Sequence, residues 1–185
     1  MKLNVTRTRL DGVVLLDINY FKDDRGFFIE PWHERDFAAA GLDLRFVQEG
    51  HSRSSARVLR GLHYQDTTAP MGKLLRCTLG RIFDVAVDLR ASSPTFGQHV
   101  AVELSAENMR QIYIPPGFAH GFQVVSDVAE VQYKQTGFYT PSSEGTLSWN
   151  DPQVAIPWPH PDPVLSDRDK RGQTLQQYAE HPRFP

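Results

Sequence analysis

Along this chain the apolar residues come in short runs, and glycine or proline breaks the pattern every few positions. Such runs suit strands better than helices. Strands are predicted at residues 13–18, 27–30, 44–49, 58–65, 73–79, 81–88, 100–104, 111–114, 121–126 and 129–136. Asp23-Asp-Arg-Gly26 reads as a turn. Residues 31–40 are the one clear helix: a proline opens it, Glu34, Phe37 and alanines continue it, and Gly41 ends it. Residues 51–55, His-Ser-Arg-Ser-Ser, read as a polar loop. Residues 73–79 and 81–88 read as a hairpin about Gly80. Ser105 is placed to cap a single helical turn at 105–108. After Trp149 the prolines at 152, 157, 159, 161 and 163 make the tail a surface wrap rather than a sheet strand. The pattern predicts an all-β fold with one or two short peripheral helices. A β-sandwich or jelly roll fits it, with barrel variants close behind.

Composition narrows the classes. The 185 residues fit one domain, 1–185, with no internal repeat or linker. Net charge is −2 and no basic tract stands out, so a nucleic-acid partner is not expected. Cys77 is the only cysteine, which rules out an intrachain disulfide and suits a reducing compartment. The apolar run at 13–16 is too short for a signal-peptide core. No stretch approaches the ~20 apolar residues of a membrane span. A soluble, cytoplasmic protein is expected.

Chemistry concentrates in Val58-Leu-Arg-Gly-Leu-His-Tyr-Gln65. Val58, Leu59 and Leu62 mark a core strand, where Arg60 and His63 are out of place. A buried guanidinium needs an anion, and imidazole is suited to moving protons near neutral pH. The pair suggests the wall of a pocket for an anionic ligand. A structural histidine beside a surface arginine explains the stretch equally well. In a regular strand residues 60 and 63 face opposite ways; a bulge at Gly61 would bring them together. Lys73 has its own argument. A hairpin about Gly80 would pair it with Ala86 and set Asp84 a diagonal step away. A cation so held is placed to stabilise negative charge on a ligand oxygen, whereas a lysine at a strand end ordinarily faces water.

Pro115-Pro-Gly-Phe-Ala-His-Gly-Phe122 contains P-x-G-x-x-H, which resembles the second motif of the cupin jelly rolls. The place of the first cupin motif holds His63-Tyr-Gln65, with no glutamate before Glu103. His63 and His120 are too few for a metal centre. His51 lies in the polar loop without ligand spacing, so no metal is expected.

The motifs DDRGFFIE (23–30), FVQEGHS (46–52), VLRGLHYQ (58–65), KLLRC (73–77), DVAVDLR (84–90), SPTFGQ (93–98), IPPGFAHGF (114–122), AEVQYK (129–134), YTPSSEG (139–145), WNDP (149–152) and LSDRD (165–169) run nearly end to end. Together they resemble the dTDP-4-dehydrorhamnose 3,5-epimerase family. The resemblance implies a cupin jelly roll, no cofactor, and inversion of C3 and C5 of dTDP-4-keto-6-deoxyglucose. It implies His63 as base, Asp169 as its partner, Tyr133 as acid and Lys73 as enolate stabiliser. It also implies substrate contacts from Arg25, Glu30, Gln48, Arg60, His120, Tyr139, Glu144 and Arg168. Arg60 and Arg168 suit phosphate, and Tyr139 suits stacking on the thymine. A homodimer that exchanges N-terminal strands is implied as well, with Arg25 and Glu30 reaching the neighbour's site. Taken alone, Asp169 reads as a surface carboxylate or helix cap, and Tyr133 as a core tyrosine. Two positions depart from the family pattern. Gly50 stands where asparagine is usual, removing a side-chain hydrogen bond to substrate, and Arg168 stands where lysine is common. Relatives that invert one carbon share the catalytic residues, so a C3-only (or C5-only) epimerase stays open. A metal-dependent cupin oxygenase and a non-catalytic sugar-nucleotide binder are the more distant readings.

Overall fold

The structure, a computed structural model, describes residues 3–185. Two antiparallel sheets face each other. The larger runs β1 (Leu3–Arg7), β2 (Val14–Ile18), β10 (Gln111–Ile114), β7 (Lys73–Leu79), β12 (Val128–Gln135), β5 (Gln48–Ser55). The smaller runs β13 (Glu144–Thr146), β6 (Leu59–Gln65), β11 (Phe118–Val124), β8 (Arg81–Asp88), β9 (His99–Ser105). A separate two-stranded arm, β3 (Phe21–Asp23) with β4 (Gly26–Phe28), carries exposed Phe21, Phe27 and Phe28. Helices α1 (Glu34–Ala39) and α2 (Leu175–Glu180) lie at the periphery. This is the jelly-roll β-sandwich expected from the pattern. No helix among the described residues is long and apolar enough to cross a membrane.

Strand alternation sorts the side chains into three cores. Leu75, Cys77 and Val131 of the larger sheet meet Ile82, Ala86 and Phe122 of the smaller one between the layers. The outer face of the smaller sheet, with Leu62, Val85 and Val87, is covered by the tail through Leu175, Tyr178 and Phe184. The outer face of the larger sheet, with Leu16, Leu74 and Tyr113, is covered by Phe37 of α1.

Four expectations need correction. Residues 73–79 and 81–88 are strands with the bounds expected, but not a hairpin. Gly80 (φ +71°) turns a corner, and the two strands enter different sheets. Strand β7 pairs with β10 and β12, while β8 pairs with β11 and β9, so Lys73 sits opposite Ile114 and Gln135, not Ala86. A glycine with positive φ serves a corner as well as a hairpin, so local pattern does not separate them. Residues 51–55 are no loop but part of β5, paired along its length with β12. They are polar because β5 is an edge strand, with one face solvated. The helix is shorter than 31–40. Pro31 spends its carbonyl on the Gln111 side-chain amide (2.8 Å), and the helix begins at Glu34 after an uncapped His33. At 105–108 there is a turn without a helix. Ser105 Oγ accepts from the Asn108 amide (3.0 Å) and Asn108 Oδ1 from the Ser105 amide (3.1 Å), and Met109 then reverses the chain at φ +54°. The short β1, β3 and β13 bring the strand count to thirteen among the described residues rather than ten.

The tail wraps as expected and adds no strand to either sheet; its β-type pairing is confined to isolated bridges at Val58–Val164, Arg90–Phe184 and Leu147–Gln173. Yet it holds α2, started by a capping box between Thr174 and Gln177. Tyr178 anchors it. Its hydroxyl donates to the Leu89 carbonyl (3.0 Å) and accepts from the amides of Arg183 and Phe184 (both 3.1 Å). Tyr178→Phe strands these buried groups, so urea denaturation should show a loss of about 1–3 kcal/mol. An unchanged midpoint would mean the hydroxyl does not tie the tail down.

Candidate active site

Between the sheets opens a cavity of about 620 Å³, ample for a small-molecule ligand. Its back wall depends on one close approach. Gly61 lies at φ +127°, and a Cβ there would stand 2.6 Å from Gly121 Cα and 2.8 Å from the His120 carbonyl oxygen. Only glycine on both strands permits this contact. The register shifts at the same point: His63 faces His120, but Arg60 faces Phe122, so three steps along β6 match two along β11. The extra residue changes the parity, as a bulge does. Arg60 and His63 therefore both line the cavity.

His63 Nε2 lies 2.6 Å from Asp169 Oδ1. Asp169 is buried, and its other oxygen accepts from Ser166 Oγ at 2.8 Å. Donation from Nε2 to Asp169 leaves the lone pair on Nδ1. Burial holds the His63 imidazole below its ordinary range; the bond to Asp169 pulls the other way, while the charges of Lys73 and Arg168 lower it further. Burial would raise the Asp169 carboxyl, but hydrogen bonds from His63 and Ser166 outweigh it and hold the group anionic. At neutral pH the pair is a neutral imidazole against a carboxylate, the protonation state a general base requires.

Lys73 enters from β7 in the other sheet. Burial pushes its amine down to about 8, against the attraction of Glu144 and Asp84. Asp84 is thus a neighbour of Lys73, but not across a hairpin: β8 lies in the facing sheet. Asp84 is fully buried, and its Oδ2 accepts from His120 Nε2 at 2.8 Å. Its Oδ1 has no partner, nor have the buried Oγ of Ser52 and Oε1 of Gln135 on the cavity wall. Buried polar atoms are ordinarily satisfied, so the Ser52 and Gln135 oxygens mark where a polar ligand can bond. Tyr133 projects from β12 beside Lys73 and also lines the cavity.

At the rim Tyr139 donates to Glu144 Oε2 (3.0 Å), and Arg168 reaches the same oxygen at 2.6 Å. The Arg168 guanidinium also lies against the His63 ring, 2.9 Å from Nε2. Gln48 holds the Tyr139 amide (3.0 Å). Gln65 pins the same loop, donating to the carbonyls of Ala69 and Phe138 and accepting from the Thr140 amide.

Of the site residues expected from sequence, His63, Tyr133, Asp169, Lys73, Arg60, His120, Tyr139, Glu144 and Arg168 line this one cavity. Gln48 sits just behind its rim. Arg25 and Glu30 lie outside it: Arg25 is exposed and bonds Asp23 (3.0 Å), and Glu30 lies near Leu3, Ile18 and Phe37. His51 is exposed and bonds Glu130 at 3.0 Å. Among the described residues no group of three or more His, Cys, Asp or Glu side chains could hold a metal ion. Sequence reasoning passed over Ser52, Ser166 and the bond from Asp84 to His120. No spacing signals them, because each becomes polar wall only once distant segments meet.

The model of the dTDP-4-dehydrorhamnose 3,5-epimerase family matches residues 7–177. The protein of that name from Pseudomonas aeruginosa is 53% identical over 175 residues, covering 94% of this chain and 96% of that one. A crystal structure of dTDP-6-deoxy-D-glucose-3,5-epimerase from Legionella pneumophila, in complex with dTDP-4-keto-L-rhamnose, is similar with a TM-score of 0.90 at 45% identity. It covers 94% of this chain and 93% of its own. A dTDP-4-dehydrorhamnose 3-epimerase from Streptomyces niveus is 38% identical over 162 residues, covering 87% of this chain and 78% of that protein.

Proposed function

This chain belongs to the dTDP-4-dehydrorhamnose 3,5-epimerase family, and on that premise we propose that it inverts C3 and C5 of a dTDP-4-keto-6-deoxy sugar without a cofactor. One observation carries the mechanism. The His63–Asp169 pair and Tyr133 enter the cavity from opposite sheets, β6 and β12, with Lys73 beside Tyr133. A base on one face of the sugar and an acid on the other is the arrangement that inversion requires.

Each carbon flanking the ketone reacts in the same way. His63 Nδ1 takes the proton, the C–H electron pair moves into the ring, and negative charge gathers on the ketone oxygen. The Lys73 ammonium stabilises that enolate oxygen. Tyr133 then returns a proton from the opposite face and recovers its own from solvent, while the His63 imidazolium gives its proton up to solvent before the next carbon reacts. Asp169 fixes the imidazole and stabilises the imidazolium. Arg60 and Arg168 suit the diphosphate, and Tyr139, about half exposed at the mouth, suits stacking under the thymine. Gln48, His120 and Glu144 complete the substrate contacts.

The test is proton NMR of the sugar during incubation in deuterated buffer containing a chelator. Wild type should exchange and invert both carbons. Tyr133→Phe should exchange without inverting, since His63 can return deuterium only to the original face. His63→Ala should do neither, because groups of this kind contribute about 10²–10⁴-fold. Exchange at C3 alone would favour the 3-epimerase reading that the Streptomyces niveus relative represents. Normal inversion by Tyr133→Phe would remove that residue from the mechanism. Rates lost to the chelator and restored by one divalent metal would overturn the metal-free route.

The pH profile follows from two groups. Lowered by burial, His63 becomes neutral, and so active, as pH rises through a value below 6.5. Lys73 loses its proton, and its hold on the enolate, as pH rises through about 8. kcat/KM should therefore be bell-shaped. Lys73→Met should lower kcat by about 10²-fold and abolish the alkaline decline. A decline that persists in that variant belongs to another group.

The substrate site is proposed to be completed in a two-fold homodimer. The exposed Phe21, Phe27 and Phe28 on the β3–β4 arm favour this, because the arm is short and apolar and stands off the barrel. Arg25 and Glu30 on and beside it would then reach the partner's cavity. Light scattering should give a dimer at micromolar concentration. A fully active monomer would refute the assembly.

A further inference from the structure

Gln135 ends β12, two residues from Tyr133 and so on the same face of the strand. It is 6% exposed and lines the cavity. Its Nε2 donates to Met71 Sδ at 3.0 Å. Its Oε1 is buried and finds no partner among the described residues. Turning the amide over would set oxygen against sulfur and leave the NH2 group unpartnered instead, so one polar end is orphaned either way. A leucine or methionine would fill the place without burying an unsatisfied group. The fold makes no use of this acceptor, which leaves it to a ligand. Within the sheet Gln135 pairs directly with Lys73 on one side and Gln48 on the other. A hydrogen-bond acceptor therefore stands beside the cation assigned to the ketone oxygen.

We propose that Gln135 is a specificity residue for the sugar: its carboxamide oxygen accepts a hydrogen bond from the hydroxyl on C3. This rests on the proposed function, with Lys73 at the C4 oxygen. Of the two carbons flanking C4 in a 4-keto-6-deoxy sugar, C3 carries a hydroxyl and C5 a methyl group. Only the C3 side offers a donor next to the ketone. The bond tells the two flanks apart and fixes which way round the ring lies between His63 and Tyr133. It forms with the bound sugar before any proton moves, so its loss should fall on KM and leave kcat nearly unchanged.

The experiment follows inversion at C5 by proton NMR in deuterated buffer, because C5 can react whether or not C3 bears a hydroxyl. The substrates are dTDP-4-keto-6-deoxyglucose and its two analogues lacking the 2-hydroxyl or the 3-hydroxyl. The proteins are wild type, Gln135→Met and Gln135→Leu. Wild-type kcat/KM should fall about 10–10²-fold on loss of the 3-hydroxyl, the size of a buried hydrogen bond left unmade. Gln135→Met should show a similar loss on the full substrate and little further loss on the 3-deoxy analogue, since each change removes the same bond. The 2-deoxy analogue should be affected equally in wild type and variant. The inference is overturned if wild type treats the 3-deoxy analogue like the full substrate, or if both variants discriminate against it as strongly as wild type does. Coupling of Gln135 to the 2-hydroxyl instead overturns the assignment to C3. Should Gln135→Met not fold, Gln135→Leu decides; should neither fold, the amide serves the core and the inference falls. A wild type that neither exchanges nor inverts the full substrate refutes the functional reading itself, whereas one that inverts it but ignores the 3-hydroxyl refutes this inference alone.

Discussion

Two backbones meet at Gly61 and Gly121 with no room for a Cβ on either side. Much of the site follows from that contact. It forces the extra residue into β6, and the extra residue brings Arg60 round to the face that carries His63. Without it, the Arg60 guanidinium and the His63 imidazole would sit on opposite sides of one strand. The smaller sheet thus presents both side chains to the cavity on a single wall. Any substituent at either glycine would push the strands apart where alignment matters most.

Charge balance is the second requirement on this interior. Lys73, His63 and His120 stand between sheets whose remaining contacts are largely apolar. Each is matched by a carboxylate from elsewhere in the chain: Glu144 and Asp84 near Lys73, Asp169 on His63, Asp84 on His120. Removing one partner from such a set leaves a buried charge uncompensated, which costs more than the pair contributes. Burial keeps the lysine amine low and the imidazole neutral against the pull of these carboxylates.

The strand pattern of the sequence was legible where strands are central and apolar. The bounds of β7, β8 and β10 match those expected from the run of residues alone. It failed where polarity has a tertiary cause. The His51–Ser55 stretch looks like a loop because an edge strand needs no apolar outer face. Gly80 looks like a hairpin because nothing local distinguishes turning back from crossing to the other sheet. Asp84 was placed beside Lys73 by a pairing that does not exist, and the two are neighbours because their sheets face each other. The bulge at Gly61 was suggested by the conflict between Arg60 and His63. The tail helix had a signal in Thr174 and Gln177, outweighed by the surrounding prolines. The roles of Asp169 and Tyr133 came from family resemblance alone, since an isolated carboxylate or strand tyrosine carries no mark of chemistry.

The tail has a temporal consequence. Synthesis runs from the N-terminus, so the strands bearing Arg60, His63, Lys73 and Tyr133 leave the ribosome before residues 164–184 do. Asp169 arrives with that last stretch, which bridges the rest of the fold at Leu147–Gln173 and Arg90–Phe184 and sets the carboxylate on His63. A nascent chain can expose the strands of Arg60, His63, Lys73 and Tyr133 while the imidazole still lacks its carboxylate. The carboxylate of that pair is thus supplied by a segment that adds nothing to the central strand ladders, and it is the last part of the cavity wall to be synthesised.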